Sequence, residues 1–122
     1  MNRKWGINMS RIIKRIALIA GIVLLALAVL SVTFYQVDKA RVEADKTPIF
    51  TFINLAYCDG GTEFHYGLGY QIVRWNRIAE QDEVRGYLVG KEYHYLVGFR
   101  KMSDGPPADV VHFEKNEHLI EQ

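Results

Sequence analysis

The residues most able to do chemistry are four histidines and the acidic residues near them. The histidines are His65, His94, His112 and His118, and their spacing is not that of a zinc site. His65 and His94 would be neighbours if they lay on paired strands, with Glu63 close by, and such a cluster is the beginning of a metal site. Polar side chains on the solvated face of a sheet are the simpler interpretation of the same residues.

The single cysteine, Cys58, leaves no partner for an internal disulfide. Outside the cytoplasm a lone thiol reacts, pairs with a second chain or stays buried. We expect a buried and inert Cys58, because a free cysteine packs as a small hydrophobe.

The glycines of YGLGY, Gly67 and Gly69, do not form a dinucleotide fingerprint, since a strand and no helix follows them. Within a strand such glycines mark a bulge or the close approach of an aromatic ring. With no nucleophile elbow, no HExxH motif and no paired carboxylates, the sequence predicts no catalytic residue, no cofactor, no metal and no enzymatic activity.

The strongest signal in the chain is an uncharged apolar run from Ile16 to Phe34. At about 1.5 Å of rise per residue, a helix of this length matches a hydrocarbon core of about 30 Å. We therefore predict a transmembrane helix over residues 16–35, with Gly21 and Leu25 inside the bilayer.

Charge sets the expected orientation of this helix. Residues 1–15 carry five Lys and Arg and no Asp or Glu, whereas the rest of the chain carries ten Lys and Arg and fourteen Asp and Glu, a net charge of −4. Basic residues beside a span favour the cytoplasmic side. We predict a single-pass protein of the cell membrane with a cytoplasmic N-terminus and an extracytoplasmic C-terminus.

Two alternatives to a retained anchor stay open. A cleaved signal peptide also joins a basic segment to an apolar stretch, but this run exceeds the usual apolar core of about 7–15 residues, and Ser31-Val32-Thr33 is a weak cleavage motif. A buried helix of a soluble protein would need more surrounding chain. Ala17 and Gly21 form a small-xxx-small pair, which permits a homodimer through the helix but is also common in membrane spans.

The sequence divides into four parts: a basic cytoplasmic flank (1–15), the transmembrane helix (16–35), a juxtamembrane segment (36–47) and one extracytoplasmic β domain (48–122). The juxtamembrane segment is charged and lacks an apolar stripe, so it is either a linker or a continuation of the helix. Pro48 ends helical structure, because it has no N–H to donate. The remaining residues support one small core.

The predicted fold class is α+β, with one N-terminal transmembrane helix and a small antiparallel meander. Ile49 to Tyr57 and Thr62 to Trp75 are rich in β-branched and aromatic residues and are predicted to be strands. Asp59, Gly60 and Gly61 lie between them and predict the turn of an antiparallel hairpin.

The second of these strands alternates apolar with polar side chains, which predicts one buried and one solvated face. The residues expected to be buried are Phe64, Tyr66, Leu68, Tyr70 and Ile72. Glu63, His65 and Gln71 are expected to face solvent.

Further strands are predicted at Tyr93 to Met102, with Tyr87 to Val89 paired against it across Gly90-Lys91-Glu92, and at Asp109 to Glu114, on an edge of the sheet. Asn76 to Arg85 has the composition of a loop or a short helix. The polar tail after Lys115 is expected to fray.

The segment DGGTEFHYGLGYQIVRWN is similar to a GGT…YYGLGYKVI-type signature of short, uncharacterised membrane-anchored proteins of Gram-positive bacteria. The resemblance extends to YLVGFRKM and spans the predicted β domain. His65 and Gln71 depart from the signature. The resemblance implies a location in a bacterial envelope and carries no activity with it.

The expected function is binding. Unpaired strand edges accept an added strand, so the outer domain is expected to bind a partner protein, a peptide or a wall polymer. A net acidic outer domain argues against nucleic acid. The alternative is a small metal-dependent enzyme or sensor, which requires His65 and His94 to converge with a carboxylate.

The predicted topology is open to a protease test. We expect protease added to intact, wall-stripped cells to shorten the chain from its C-terminal side, because the basic flank holds the N-terminus in the cytoplasm. Immunoblots against tags at the two ends read out which end is lost. Complete protection, with cleavage only after lysis, would contradict this orientation.

Overall fold

The computed structural model describes residues 3–115, with side chains described from Met9 onward. It contains a long helix, α1 (Arg3–Glu43), and five strands, β1 (Ile53–Ala56), β2 (Glu63–Tyr66), β3 (Tyr70–Gln81), β4 (Val84–Tyr95) and β5 (His112–Lys115). The strands pair antiparallel in chain order as one open sheet. The predicted α+β class with a meander is confirmed.

Helix α1 is long and apolar enough to cross a membrane, and its side chains are exposed from Met9 to Leu30. It does not end with the apolar run but continues through Glu43, so most of the juxtamembrane segment is helical. Asp45, at φ 60, reverses the chain, and Lys46 N–H donates to the carbonyl of Arg41, which caps the helix end.

The last turns of α1 pack across one face of the sheet, which we call the helix face. Val42 is fully buried against Tyr70 and Ile72 of β3. The Tyr35 ring lies 5.4 Å from that of Tyr70 and 5.1 Å from that of Tyr95. The end of the helix therefore completes one of the domain's two core clusters.

Asp38 is the polar centre of this contact and is fully buried. Its carboxylate accepts hydrogen bonds from the Tyr70 hydroxyl (2.6 Å), from Ile49 N–H (2.8 Å) and from Phe50 N–H (3.1 Å). Burial, followed by the hydrogen bond to Asp38, raises the pKa of Tyr70 above its ordinary range, so the phenol stays a donor. One side chain thus joins α1, the segment after it and β3.

The opposite face of the sheet is covered by the loop between β4 and β5, and we call it the loop face. Phe64, Val73 and Trp75 are buried there, with Met102 and Val111 of the loop packed against them. The rings of Phe64 and Trp75 meet edge to face at 5.4 Å. The sheet therefore has a core on each side.

The segment predicted as one strand from Thr62 to Trp75 is in fact two. Gly67 N–H donates to the carbonyl of Tyr70 (2.9 Å), and Gly69 has φ 81, so the chain reverses between β2 and β3. A Cβ on Gly67 would collide with the Tyr70 ring, which is the close aromatic approach expected of a glycine here. The alternation of apolar and polar residues in the sequence continues through this tight turn, so the two-residue period does not reveal that the chain reverses.

The reversal also changes which residues share a face. His65 pairs with Ile72, and Phe64 pairs with Val73, so residues of opposite parity lie together after the turn. Of the predicted core, three residues are buried and two are half-buried: Phe64, Tyr70 and Ile72, then Tyr66 and Leu68. His65 and Gln71, expected to face solvent, are 3% and 0% exposed because both faces of the sheet are covered.

The prediction of a loop or helix at Asn76 to Arg85 is wrong. Strand β3 runs on to Gln81 and β4 begins at Val84, joined by Asp82 and Glu83 at φ 52 and 64. Two left-handed residues make the primed turn that suits a tight hairpin. The sheet is exposed this far from α1, so the strands lack the apolar alternation that would identify them.

The strand predicted at Tyr93 to Met102 starts earlier and ends at Tyr95, and Gly90 lies inside it rather than in a turn. Leu96 at φ 68 and Gly98 at φ 79 end the strand. The predicted last strand is present as β5, on the edge beside β4. The tail, residues 116–122, lies outside the described residues.

Replacing Asp38 with Ala should destabilise the domain by at least about 1–3 kcal/mol, the cost of leaving one buried donor without a partner. Urea unfolding of the full chain in detergent micelles, followed by tryptophan fluorescence, measures the change. Asp45→Asn is the matched control, since it removes the surface ion pair with Lys91 while asparagine tolerates the φ of 60 at this position, and it should change little. Equal unfolding midpoints for the two variants would contradict the role given to Asp38.

Candidate functional site

The two histidines of the proposed metal site do not converge. His65 pairs with Ile72, whereas His94 pairs with Gln71, and adjacent residues of β3 point to opposite faces. His65 therefore lies on the helix face and His94 on the loop face. Among residues 9–115, no group of three or more His, Cys, Asp and Glu side chains is arranged to hold a metal ion.

His65 is part of a small polar network beside β1. Its Nδ1 lies 2.6 Å from Asn54 Oδ1, and its Nε2 lies 3.4 Å from the Glu63 carboxylate. Because Asn54 Oδ1 can only accept, Nδ1 is the donor. Burial lowers the pKa of His65, although Glu63 partly offsets the effect, so the ring is neutral near pH 7 and holds β1 to β2.

On the loop face, Glu92 organises the packing of the loop. Its carboxylate accepts hydrogen bonds from Trp75 Nε1 and from Arg100 Nε, and it lies 3.3 Å from His94 Nε2. Buried Gln71 binds the backbone of Arg100 in both directions, each at 2.8 Å. The bonds of Glu92 to Trp75 and Arg100, together with those of Gln71, secure the loop against the sheet.

The predicted turn residues lie between β1 and β2. Gly60 and Gly61 have φ 128 and 119. Asp59 accepts hydrogen bonds from the Thr62 N–H (3.0 Å) and hydroxyl (2.7 Å) and from Arg77 Nε (3.3 Å). Burial would raise the pKa of Asp59, but these bonds outweigh it and hold the pKa below its usual value. The Asp59 side chain thus closes the turn by bonding to Thr62 on its far side.

Cys58, next to this turn, is exposed, which corrects the expectation that it is buried. It follows the edge strand β1 and is the chain's only thiol. The position gives it no packing role, and it offers a single site for thiol labelling.

An open cleft of about 550 Å³ lies on the helix face beyond the end of α1. Charged side chains line it, but they are paired with one another: Lys91 with Asp45 (2.7 Å), Arg74 with Glu63 (3.7 Å) and His112 with Glu114 (3.0 Å). Lys91 lowers the pKa of Asp45 by its hydrogen bond and its charge. With His112 neutral, three carboxylates face two cations, and this small negative excess is too weak to select a charged ligand.

The outer edge of β1 is the least protected part of the sheet. All four of its residues are exposed, and its side chains are uncharged. Ile53 and Leu55 are 46% and 43% exposed on the loop face. Phe52, which precedes them, is 68% exposed. Backbone groups and apolar side chains are thus available together along one edge.

The other edge of the sheet is built differently. Strand β5 has the sequence HFEK, with charged Glu114 and Lys115. Charged side chains discourage another strand from pairing with an exposed edge. Of the two edges in residues 3–115, only β1 lacks this protection.

Comparison of the chain with protein-family models, with curated proteins and with solved structures found no match.

Sequence reasoning missed the residues that join α1 to the sheet. Ser31, Tyr35, Asp38 and Val42 recur at helical spacing and lie on one face of α1. Two of them are polar, so the segment after the apolar run did not show an apolar stripe. The sequence feature that could have revealed this face is Asp38, which lies at helical spacing between Tyr35 and Val42.

The neutral, buried His65 predicts a pH dependence. Its folded-state pKa lies below the ordinary value of about 6.5, so the unfolded chain binds more protons, and the free energy of unfolding falls as pH drops below about 6.5. We expect His65→Gln to reduce this loss between about pH 7.5 and about pH 5.5, a range in which most carboxylates stay ionised. Urea midpoints at the two pH values measure it.

His112→Gln is the control for this measurement, because the His112 side chain is 67% exposed. We expect it to keep the wild-type pH dependence. An unchanged slope in His65→Gln would refute the assignment to His65.

Proposed function

We propose that this chain is a single-pass membrane protein whose extracytoplasmic β domain binds an extended segment of a partner protein, which adds as a strand to the outer edge of β1. The N-terminus lies in the cytoplasm. The proposed location in a bacterial envelope rests on the sequence resemblance of the β domain.

Retention of the helix is supported by its packing. Tyr35, Asp38 and Val42 lie beyond the apolar run or at its end, yet they contact Tyr70 and Ile72 on the helix face. Cleavage within or after the run would free this segment from its membrane anchor or remove it, and loss of Asp38 would expose the Tyr70 hydroxyl and two N–H groups. A retained helix also keeps the hydrogen bond from Ser31 to the Leu68 carbonyl, which cleavage after Thr33 would remove.

The observation that carries the binding proposal is the open, uncharged edge of β1. Tyr57 N–H donates to the Thr62 carbonyl of the β1–β2 hairpin. Because antiparallel strands bond through alternate residues, the N–H and C=O groups of Asn54 and Ala56 point away from β2. An added strand would pair with these groups and cover the exposed side chains of Ile53 and Leu55.

The other candidate functions have less support. A metal-dependent enzyme or sensor required His65 and His94 to converge, and they lie on opposite faces. A wall polymer would be expected to use several aromatic rings, whereas the side chains that β1 exposes on the loop face, Ile53 and Leu55, are aliphatic. A homodimer through Ala17 and Gly21 remains compatible with the exposed helix and does not compete with the edge.

Photo-crosslinking in intact cells tests the edge. A photoreactive residue replaces Leu55, and Ala56 is changed either to Pro or to Ser. Proline removes the outward N–H and blocks strand addition, whereas serine keeps the N–H. We expect a discrete cross-linked product with Ala56→Ser that is lost with Ala56→Pro, at equal amounts of membrane-inserted protein.

A photoreactive residue at Glu80, exposed near the far end of β3, is the positional control. Mass spectrometry of the product separates a second copy of the chain from another protein. Two results would contradict strand addition at β1. One is the same cross-linked product in the proline and serine variants, and the other is a set of products from position 55 that does not differ from the set obtained at position 80.

A further inference from the structure

The most exposed large apolar side chains of the β domain gather at one end of the sheet. Val97 is 78% exposed and Leu96 is 66% exposed, just after β4. Phe52, 68% exposed, precedes β1, and its N–H donates to the carbonyl of Tyr66 beside the β2–β3 turn. The opposite end of the sheet carries the charged Asp82-Glu83 turn.

Helix α1 fixes the depth of this end. Ser31 Oγ donates to the carbonyl of Leu68 in the β2–β3 turn (2.6 Å) and lies 2.9 Å from the Tyr95 hydroxyl. Leu96 N–H donates to the carbonyl of Gly69 (2.8 Å). We call residues 67–69 and 96–97, which these bonds hold beside Ser31, the tip.

Ser31 lies inside the apolar run. A hydrocarbon core of about 30 Å that begins at Arg15 spans about twenty helical residues and ends near Tyr35. Ser31 is then about 6 Å inside the outer boundary of that core. The domain cannot stand clear of the bilayer while the tip is bonded to Ser31.

The polar groups of the tip suit such a place. Leu96 N–H is bonded to Gly69, and Val97 N–H donates to the carbonyl of Tyr95 (2.8 Å). The carbonyls of Leu68 and Gly69 both accept hydrogen bonds. In the hydrocarbon region no water is present to bond backbone groups, so these groups must form hydrogen bonds within the protein. The N–H groups of Leu96 and Val97, the two most exposed residues of the tip, do so.

The backbone at Leu96 is a second, independent feature. Leu96 has φ 68, in the left-handed region, within a three-residue turn closed by Val97 N–H and the Tyr95 carbonyl. A bulky residue is strained there, and a turn in water would use Gly or Asn. The turn instead projects a leucine and a valine outward, which favours an apolar medium around them.

We propose that the tip, with Phe52 beside it, inserts into the outer leaflet at the boundary between hydrocarbon and headgroups and holds the β domain against the membrane surface. The proposal rests on the membrane anchor of the proposed function. Phe34 and Phe50, stacked at 4.1 Å, lie at the same interface. The occupant of the apolar surface is lipid, because α1 brings the bilayer to it.

Depth-dependent fluorescence quenching tests the insertion. Full-length chains with one labelled cysteine, in a Cys58→Ser background, are reconstituted into phosphatidylcholine and phosphatidylglycerol vesicles with lipids brominated near the headgroup end of the acyl chain. The labelled positions are Val97→Cys in the tip, Asp82→Cys at the far turn and Leu25→Cys within the helix. Aqueous iodide is the second quencher.

We expect the label at residue 97 to lose fluorescence with brominated lipid and to resist iodide, and the label at residue 82 to do the opposite. Iodide quenching at residue 97 without lipid quenching would overturn the insertion. Resistance to both quenchers would overturn it too and would point to a second protein chain over the tip. Lipid quenching at residue 25, tested with brominated carbons deep in the chain, reports separately on the anchor, so its absence identifies a failure of the anchor itself.

Discussion

The docking of α1 on the sheet depends on one buried carboxylate. Asp38 cannot lie in the interior unless its oxygens are hydrogen-bonded, and its partners come from β3 and from the segment between α1 and β1. That requirement fixes the rotation of the helix and the path of the chain into β1. With the helix held in this position, Val42 and Tyr35 pack against Tyr70 and Ile72. A helix long and apolar enough to cross a membrane thereby becomes part of the core of a β domain.

This arrangement explains why so small a domain has buried polar residues on both faces. Residues 3–115 form a single sheet, so α1 covers one face and the β4–β5 loop covers the other. Loops and single helices cover a sheet with polar atoms as well as apolar ones. His65, Gln71 and Glu92 form hydrogen bonds with those atoms, so His65, which the sequence offered as a candidate metal ligand, has a structural role here.

The sequence allowed the fold class to be predicted because the apolar run and the β-rich remainder have different periodicities. It predicted the meander and the first hairpin but not the later reversals of the chain. The reversal at Gly67 and Gly69 leaves the apolar–polar alternation of the sequence unbroken, although residues of the same parity lie on opposite faces before and after it. The second reversal, at Asp82-Glu83, uses an uncommon turn sequence. The histidine site failed for the same reason, since a shift in parity separated His65 from His94. Asp38 looked like a solvated residue because burial of a carboxylate depends on partners distant in sequence.

Amide hydrogen exchange of the full-length chain in lipid nanodiscs tests most directly whether Asp38 docks α1 on the sheet. Ile49 and Phe50 lie outside any helix or strand, and within the described part of the chain their N–H groups donate to the Asp38 carboxylate alone. If Asp38 docks the helix on the sheet, these two amides exchange as slowly as that of Ile72 in β3, the central strand of the sheet. Exchange of Ile49 and Phe50 at the rate of an exposed loop, with Ile72 still protected, would contradict the docking of α1 on the sheet.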